Sequence, residues 1–211
     1  MKNRLPVFTN RTNICIICKG DEEYDYLDKL IHLGVWSKHY HIVLDNAGGN
    51  GNIPARYQDR YQNGSYDVIL VFCDTDRKPY EQYTDIKNKI NEFHGNDKAA
   101  DRIVIYGNPC TMQIILLHWI DTRLKSPAKK MIAPVIQECT GIKNYKGRAD
   151  QRKTLMEKIT VDNYISMYQR IQNILDDDVA VGSSNFGRFL KCFTEEDDTW
   201  IRTINECLED E

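Results

Sequence analysis

The stretch VILVFCDTDRKPYEQY, residues 68–83, runs six apolar residues straight into Asp74, Thr75 and Asp76 and then into two cations, Arg77 and Lys78. Continuous apolar character, rather than alternation, marks a strand covered on both faces, as in a parallel sheet. Residues 14–18 (ICIIC) and 103–106 (IVIY) share this character, and a shorter strand is expected at 41–44. Helical stripes lie between them: Tyr26, Leu27, Leu30, Ile31 and Leu33 before Gly34, and Tyr83, Ile86, Ile90 and Phe93 before Gly95. Strand alternating with helix predicts an α/β core with a mostly parallel sheet flanked by helices.

MQIILLHWI (112–120) is apolar nearly all round and reads as a buried helix, with Asn108-Pro109 supplying an N-cap and a proline at the first helical position. Beyond it the character changes. Residues 131–139, 164–175 and 186–193 carry helical periodicity, and a strand is suggested only at 179–181. The expected division is an α/β core over 1–125 and a helical C-terminal extension over 126–211 packed on that core. The Gly-rich loop AGGNGN (47–52) has neither the Gly-Lys-Ser/Thr ending of a P-loop nor GxGxxG spacing and reads as a flexible connection.

Composition is that of a soluble globular protein: 41% hydrophobic, 28% charged, net charge -3. The charge is unevenly spread. Residues 123–153 hold nine Lys and Arg against Glu138 and Asp150, whereas 176–211 hold eleven acids against three cations. No apolar run spans a bilayer, and residues 1–11 lack the apolar centre of a secretory signal, so a cytoplasmic protein with no membrane association is expected. Seven scattered cysteines fit reduced core thiols, and the lone CxxC of Cys15 and Cys18 sits in a strand that sends its side chains to opposite faces.

Ligands of parallel α/β sheets bind beyond the carboxyl ends of the strands, where Asp74 and Asp76 are placed. Residues two apart on an extended chain point the same way, and paired carboxylates repel unless a proton or a cation such as Mg²⁺ or Mn²⁺ lies between them. An Asp-rich turn is the alternative. The first strand also ends in acids, Asp21, Glu22 and Glu23, which would equally suit a helix N-terminus.

KGDEEYDYLDKL (19–30), YDVILVFCDTD (66–76) and YGNPCTMQIILLHW (106–119) resemble the successive motifs of RloB-like proteins, a branch of the TOPRIM fold found in bacterial phage-defence loci. SSNFGRFL (183–190) extends the similarity, which rests on the order and spacing of the motifs. The resemblance implies a TOPRIM-like, Rossmann-like sheet and a metal-dependent nuclease acting on DNA or RNA, with an ATPase encoded nearby as a candidate partner. It assigns catalytic and metal-binding roles to Glu23, Asp74 and Asp76, with Glu22 as the other candidate glutamate. A metal at such a site polarises a phosphate oxygen while a carboxylate acts as general base.

Where the family reads Phe-Glu after Asn-Pro-Cys, this chain has Thr111-Met112, and a thioether does not hold Mg²⁺. Either Glu22 compensates or catalysis is weakened or lost, which leaves open a degenerate module that binds nucleic acid, a nucleotide or a partner protein. Arg77, Lys78, Lys146 and Arg148 are candidate phosphate contacts, and Tyr145 a candidate base-stacking residue. The basic region could instead pair with the acidic tail. Asn108 is a candidate cap or site residue, and His118 either a satisfied core histidine or a site residue. A homo-oligomer is compatible with the sequence. Haloacid-dehalogenase phosphatases and sugar-nucleotide transferases also use DxD, but its late position and the following Arg77-Lys78 fit them less well.

Overall fold

The computed structural model describes residues 11–209; residues 1–10, read above for a targeting signal, and the last two acids of the tail lie outside the described residues. In chain order the elements are β1 (Thr12–Cys18), α1 (Asp21–Leu33), β2 (Tyr40–Asn46), α2 (Ile53–Asn63), β3 (Val68–Asp74), α3 (Glu81–His94), α4 (Ala99–Ile103), β4 (Val104–Gly107), α5 (Met112–Ile115), α6 (Lys129–Thr140), α7 (Ala149–Glu157), α8 (Val161–Ile171), α9 (Phe186–Thr194) and α10 (Thr199–Glu209). The four strands form one all-parallel sheet in the order β2-β1-β3-β4, flanked by helices in a Rossmann-like α/β arrangement.

All seven residues of β3 are buried, as are the last five of β1, which is why both read as unbroken apolar runs. The edge strand β2 is only half-buried after Tyr40, and its pattern is correspondingly weaker. Helix α1 ends as expected at Gly34, whose φ of 65° is left-handed and whose N–H reaches the Ile31 carbonyl. Gly95 closes α3 in the same way.

The helices beyond residue 125 share one buried cluster with the sheet: Phe186 of α9 stacks on Phe72 of β3 at 5.5 Å between ring centres, and Ile132, Leu155, Met167 and Phe193 belong to the same core. Among the described residues no helix is long and apolar enough to cross a membrane.

Four expectations are corrected. The apolar segment after β4 does not begin at Asn108: Asn108-Pro109 is a cis peptide in the preceding loop, and the helix starts at Met112 with Thr111 in the capping position. It is a single α turn continued by a 3₁₀ turn at Leu116–His118. Ile103 closes α4 and does not open β4. Residues 179–181 form a turn, and the bridge to the sheet falls instead between Gly107 and Ser184. The AGGNGN loop carries a 3₁₀ turn at Asn50–Asn52 and buries Asn50, so it is more than a connector.

Candidate functional site

Strand order 2-1-3-4 puts the topological switch between β1 and β3: the chain leaves β1 toward β2 on one side and returns as β3 on the other. A crevice opens at the carboxyl ends of strands at such a point. Lys19 follows β1, its N–H bonded to the Phe72 carbonyl at 2.9 Å, and Asp74 ends β3. The third contributor is the loop after β4. A Cβ on Gly107 would lie 2.8 Å from the Cys110 carbonyl oxygen, so only glycine lets the chain fold back this tightly. That return carries Thr111 over the end of β3, and Thr75 N–H to Gly107 O (3.2 Å) and Asp76 N–H to Pro109 O (3.1 Å) tie the two loops together.

The centre of the site is buried. Thr111 donates its N–H to Asp74 Oδ1 at 2.6 Å, and its hydroxyl oxygen lies 2.6 Å from Glu23 Oε1 and 2.7 Å from Asp74 Oδ1. A hydroxyl has one proton to donate, so it can donate to only one of the two carboxylates at a time. Burial pushes the Glu23 carboxyl well above its ordinary range, and the charge of Asp74 adds to this. Burial likewise raises Asp74, against the opposing pull of Lys19 and the Thr111 hydrogen bond. Glu23 Oε2 also accepts the Gly20 N–H at 3.1 Å, so Glu23 closes the first turn of α1 as well as facing Asp74.

Outward from Asp74 the cation is a side chain. Lys19 Nζ lies 3.0 Å from Asp74 Oδ2 and 2.8 Å from Asp76 Oδ2. Burial alone would lower the Lys19 ammonium, but the two aspartates outweigh it and the net shift is upward. Asp76 takes a left-handed φ of 60° and also accepts from Asn50 Nδ2 at 3.2 Å. Asn50 was not anticipated as a site residue.

Whether these residues fit Mg²⁺ or Mn²⁺ follows from the donors. Such an ion takes about six oxygens, usually from one or two carboxylates and several waters. Here the oxygens of Asp74 and Asp76 that face one another converge on the Lys19 ammonium, and Glu23 Oε1 and Asp74 Oδ1 converge on Thr111. Among the described residues no group of three or more His, Cys, Asp or Glu side chains is placed to hold a metal ion. As arranged, the donor set does not fit the ion.

Glu22, the alternative glutamate, lines the same cleft and its charge helps to raise Asp74, but its carboxylate is engaged elsewhere: Lys129 Nζ lies 2.8 Å from its Oε1, which also accepts from Tyr145 at 3.0 Å. Tyr145 is itself buried, with Lys129 over its ring, and so offers no face for a base to stack on. Met112 is fully buried. Nor does the basic region pair with the acidic tail among the described residues. Arg152 bonds Asp21 and Asp25 of α1, while the tail's Asp178 takes Lys87 and Tyr83 of α3.

The cleft over this centre has a volume of about 480 Å³, and Lys129, Lys146 and Arg152 stand on its wall. A neighbouring cavity of about 500 Å³ shares Asp76 and Pro127 with it and is lined by the exposed Arg77 and Lys78. Arg148 is exposed at the start of α7 and lines neither. Asn108 is fully buried and donates to the Asp178 carbonyl (2.8 Å) and the Tyr80 hydroxyl (3.3 Å), a tie between loops. His118 is buried between the Tyr26 hydroxyl (3.1 Å) and Asn163 Oδ1 (3.0 Å), and burial lowers its pKa to about 4. It is a satisfied core histidine outside the cleft.

No protein-family model, curated protein or solved structure matches this chain.

Proposed function

We propose that this chain is a TOPRIM-like module that engages nucleic acid through its phosphate backbone at the carboxyl edge of the sheet, and that it does so without cutting. The observation that carries this reading is Lys19, whose ammonium bridges Asp74 and Asp76 where phosphodiester chemistry would call for a divalent ion. An ammonium has three donors; two are used on the aspartates, leaving one for a phosphate oxygen. Arg77 and Lys78 in the adjoining cavity and Lys146 on the cleft wall make no ion pairs among the described residues and would contact the flanking phosphates.

A second reading has its own support. Three carboxylates, Glu23, Asp74 and Asp76, line one cleft in which Lys19 pairs with the two aspartates, and the surplus negative charge favours a Mg²⁺- or Mn²⁺-dependent nuclease of the RloB-like kind, catalytic through those residues, working in anti-phage defence with an ATPase partner.

Fluorescence anisotropy of labelled single-stranded DNA, duplex DNA and RNA, with plasmid nicking run alongside in Mn²⁺, tests the choice. Binding that weakens steeply with salt and persists in EDTA, with no cutting, is expected. Cutting that disappears in Glu23→Ala or Asp74→Ala would establish the second reading, and absence of binding to all three polymers would refute the first.

A further inference from the structure

We infer that Lys19 replaces a divalent cation in this cleft, so that the native protein works with a resident ammonium and takes up no Mg²⁺ or Mn²⁺ there. The inference rests on the cleft being the ligand site, but not on which polymer fills it.

The geometry is that of a built-in cation. Asp74 is the last residue of β3 and is buried, Asp76 turns back through a left-handed backbone, and the Asn50 amide braces it from the opposite loop. Their Oδ2 atoms meet at Lys19 Nζ, at 3.0 and 2.8 Å. Lys19 in turn is anchored at its backbone, one residue past β1, by the bond to Phe72 O. An incoming metal would have to displace a cation that is covalently tethered to the chain and paired with both aspartates. It would then leave that ammonium beside a second positive charge, in a lining whose other acids Glu22 and Asp21 are already paired with Lys129 and Arg152. The remaining carboxylates offer no way round. Glu22 is held by Lys129 and Tyr145, and Glu23 by Thr111 and the Gly20 N–H. The chemistry follows from the substitution: an ammonium supplies charge and hydrogen bonds to a phosphate oxygen, but it does not lower the pKa of a bound water as a metal does. The site therefore recognises a phosphodiester and leaves it intact.

Titration of the full chain with Mn²⁺, followed by the loss of the free-ion paramagnetic resonance signal and with no nucleic acid present, tests this. The wild type should show no saturable site up to roughly 1 mM, the weak end of divalent-cation sites. Lys19→Met, checked for folding by circular dichroism, should gain one Mn²⁺ per chain and lose it again when Asp76→Asn is added. One Mn²⁺ per wild-type chain that Asp76→Asn abolishes would overturn the inference, as would a folded Lys19→Met protein that binds none. Should Lys19→Met fail to fold, the wild type and Asp76→Asn alone decide. A protein that binds no polymer but behaves this way toward Mn²⁺ would refute the proposed function and leave the cation assignment standing.

Discussion

Thr111→Val is the perturbation that isolates the buried centre. Valine matches threonine in shape but removes the hydroxyl that lies 2.6 Å from Glu23 Oε1 and 2.7 Å from Asp74 Oδ1. Asp74 keeps the Thr111 N–H and Lys19, whereas Glu23 Oε1 loses its partner in a fully enclosed position. A hydrogen bond to a charged group contributes about 1.5–3 kcal/mol net, and a stranded buried acceptor costs a similar amount. We therefore expect about 2–3 kcal/mol of destabilisation at pH 7.5, read as a fall of about 1 M in the urea midpoint if the slope is about 2 kcal/mol/M. The Thr111 hydrogen bond lowers the Glu23 pKa, so its loss raises that value further. The folded variant then holds more protons than the folded wild type, and its deficit shrinks as the pH falls toward 5. Thr111→Ser keeps the hydroxyl and gives up one methyl, a loss of about 1 kcal/mol at either pH. Equal urea midpoints for Thr111→Val and Thr111→Ser at both pH values would refute the shared-hydroxyl reasoning.

Glu23→Gln removes a carboxyl whose folded pKa is raised. Such a group makes stability fall as pH rises from its unfolded value of about 4.5 through its folded one, so the variant should be more stable than wild type at pH 7 and equal to it below about pH 4; identical urea midpoints across that range would contradict this. His118 acts in the opposite direction. Its folded pKa of about 4 lies below the ordinary 6.5, so its stabilising contribution is present above 6.5 and about 3 kcal/mol of it is lost by pH 4; His118→Gln, which keeps hydrogen-bonding atoms for Tyr26 and Asn163, should flatten this acid slope in the same melts. Charge reversal at Arg77, Lys78 or Lys146 should weaken polymer binding without altering the urea midpoint. Each should reduce the slope of log K against log salt by about 0.7 for single strands, and unchanged anisotropy titrations would remove that residue from the interface.

The sheet was legible because β1 and β3 are covered on both faces and leave unbroken apolar runs, and because Gly34 and Gly95 mark the ends of α1 and α3. Helix α7 was not legible, since it buries only Leu155 and Met156 and shows no stripe, and in α2 the spacing of Ile53, Tyr57 and Tyr61 was present but set among polar residues. In α10 the spacing of Ile201, Ile204 and Leu208 was present but masked by the acids around it. The strand ends placed Asp74, Asp76 and the acids at 21–23 at one edge of the sheet, and the family resemblance singled out Glu23 with Glu22 as the alternative. Lys19 and Thr111 could not be recognised as their partners: one reads as an ordinary residue after a strand, the other as a neutral neighbour of Met112, where the acid is missing. Only the tight return at Gly107 and the switch between β1 and β3 bring them together. His39 shows the same effect elsewhere, its carboxylate partner Asp198 lying far along the chain.

The buried pair itself argues for function. Glu23 has a structural task, accepting the Gly20 N–H at the start of α1, but an uncharged side chain such as glutamine could do this without placing a second acid against Asp74. Burying two carboxyls around one hydroxyl costs stability at neutral pH, and clusters that carry this cost are concentrated at binding and catalytic sites. Here the cluster also opens outward, through Lys19, toward a cleft on whose lining Lys129, Lys146 and Arg152 stand. A purely structural knot would be expected to close its charges on itself. This one turns an acid–lysine–acid bridge to the place where a phosphate would arrive, which makes Lys19 the residue whose replacement should change what the site binds, and Glu23 the one whose replacement should change mainly how stably the site is held.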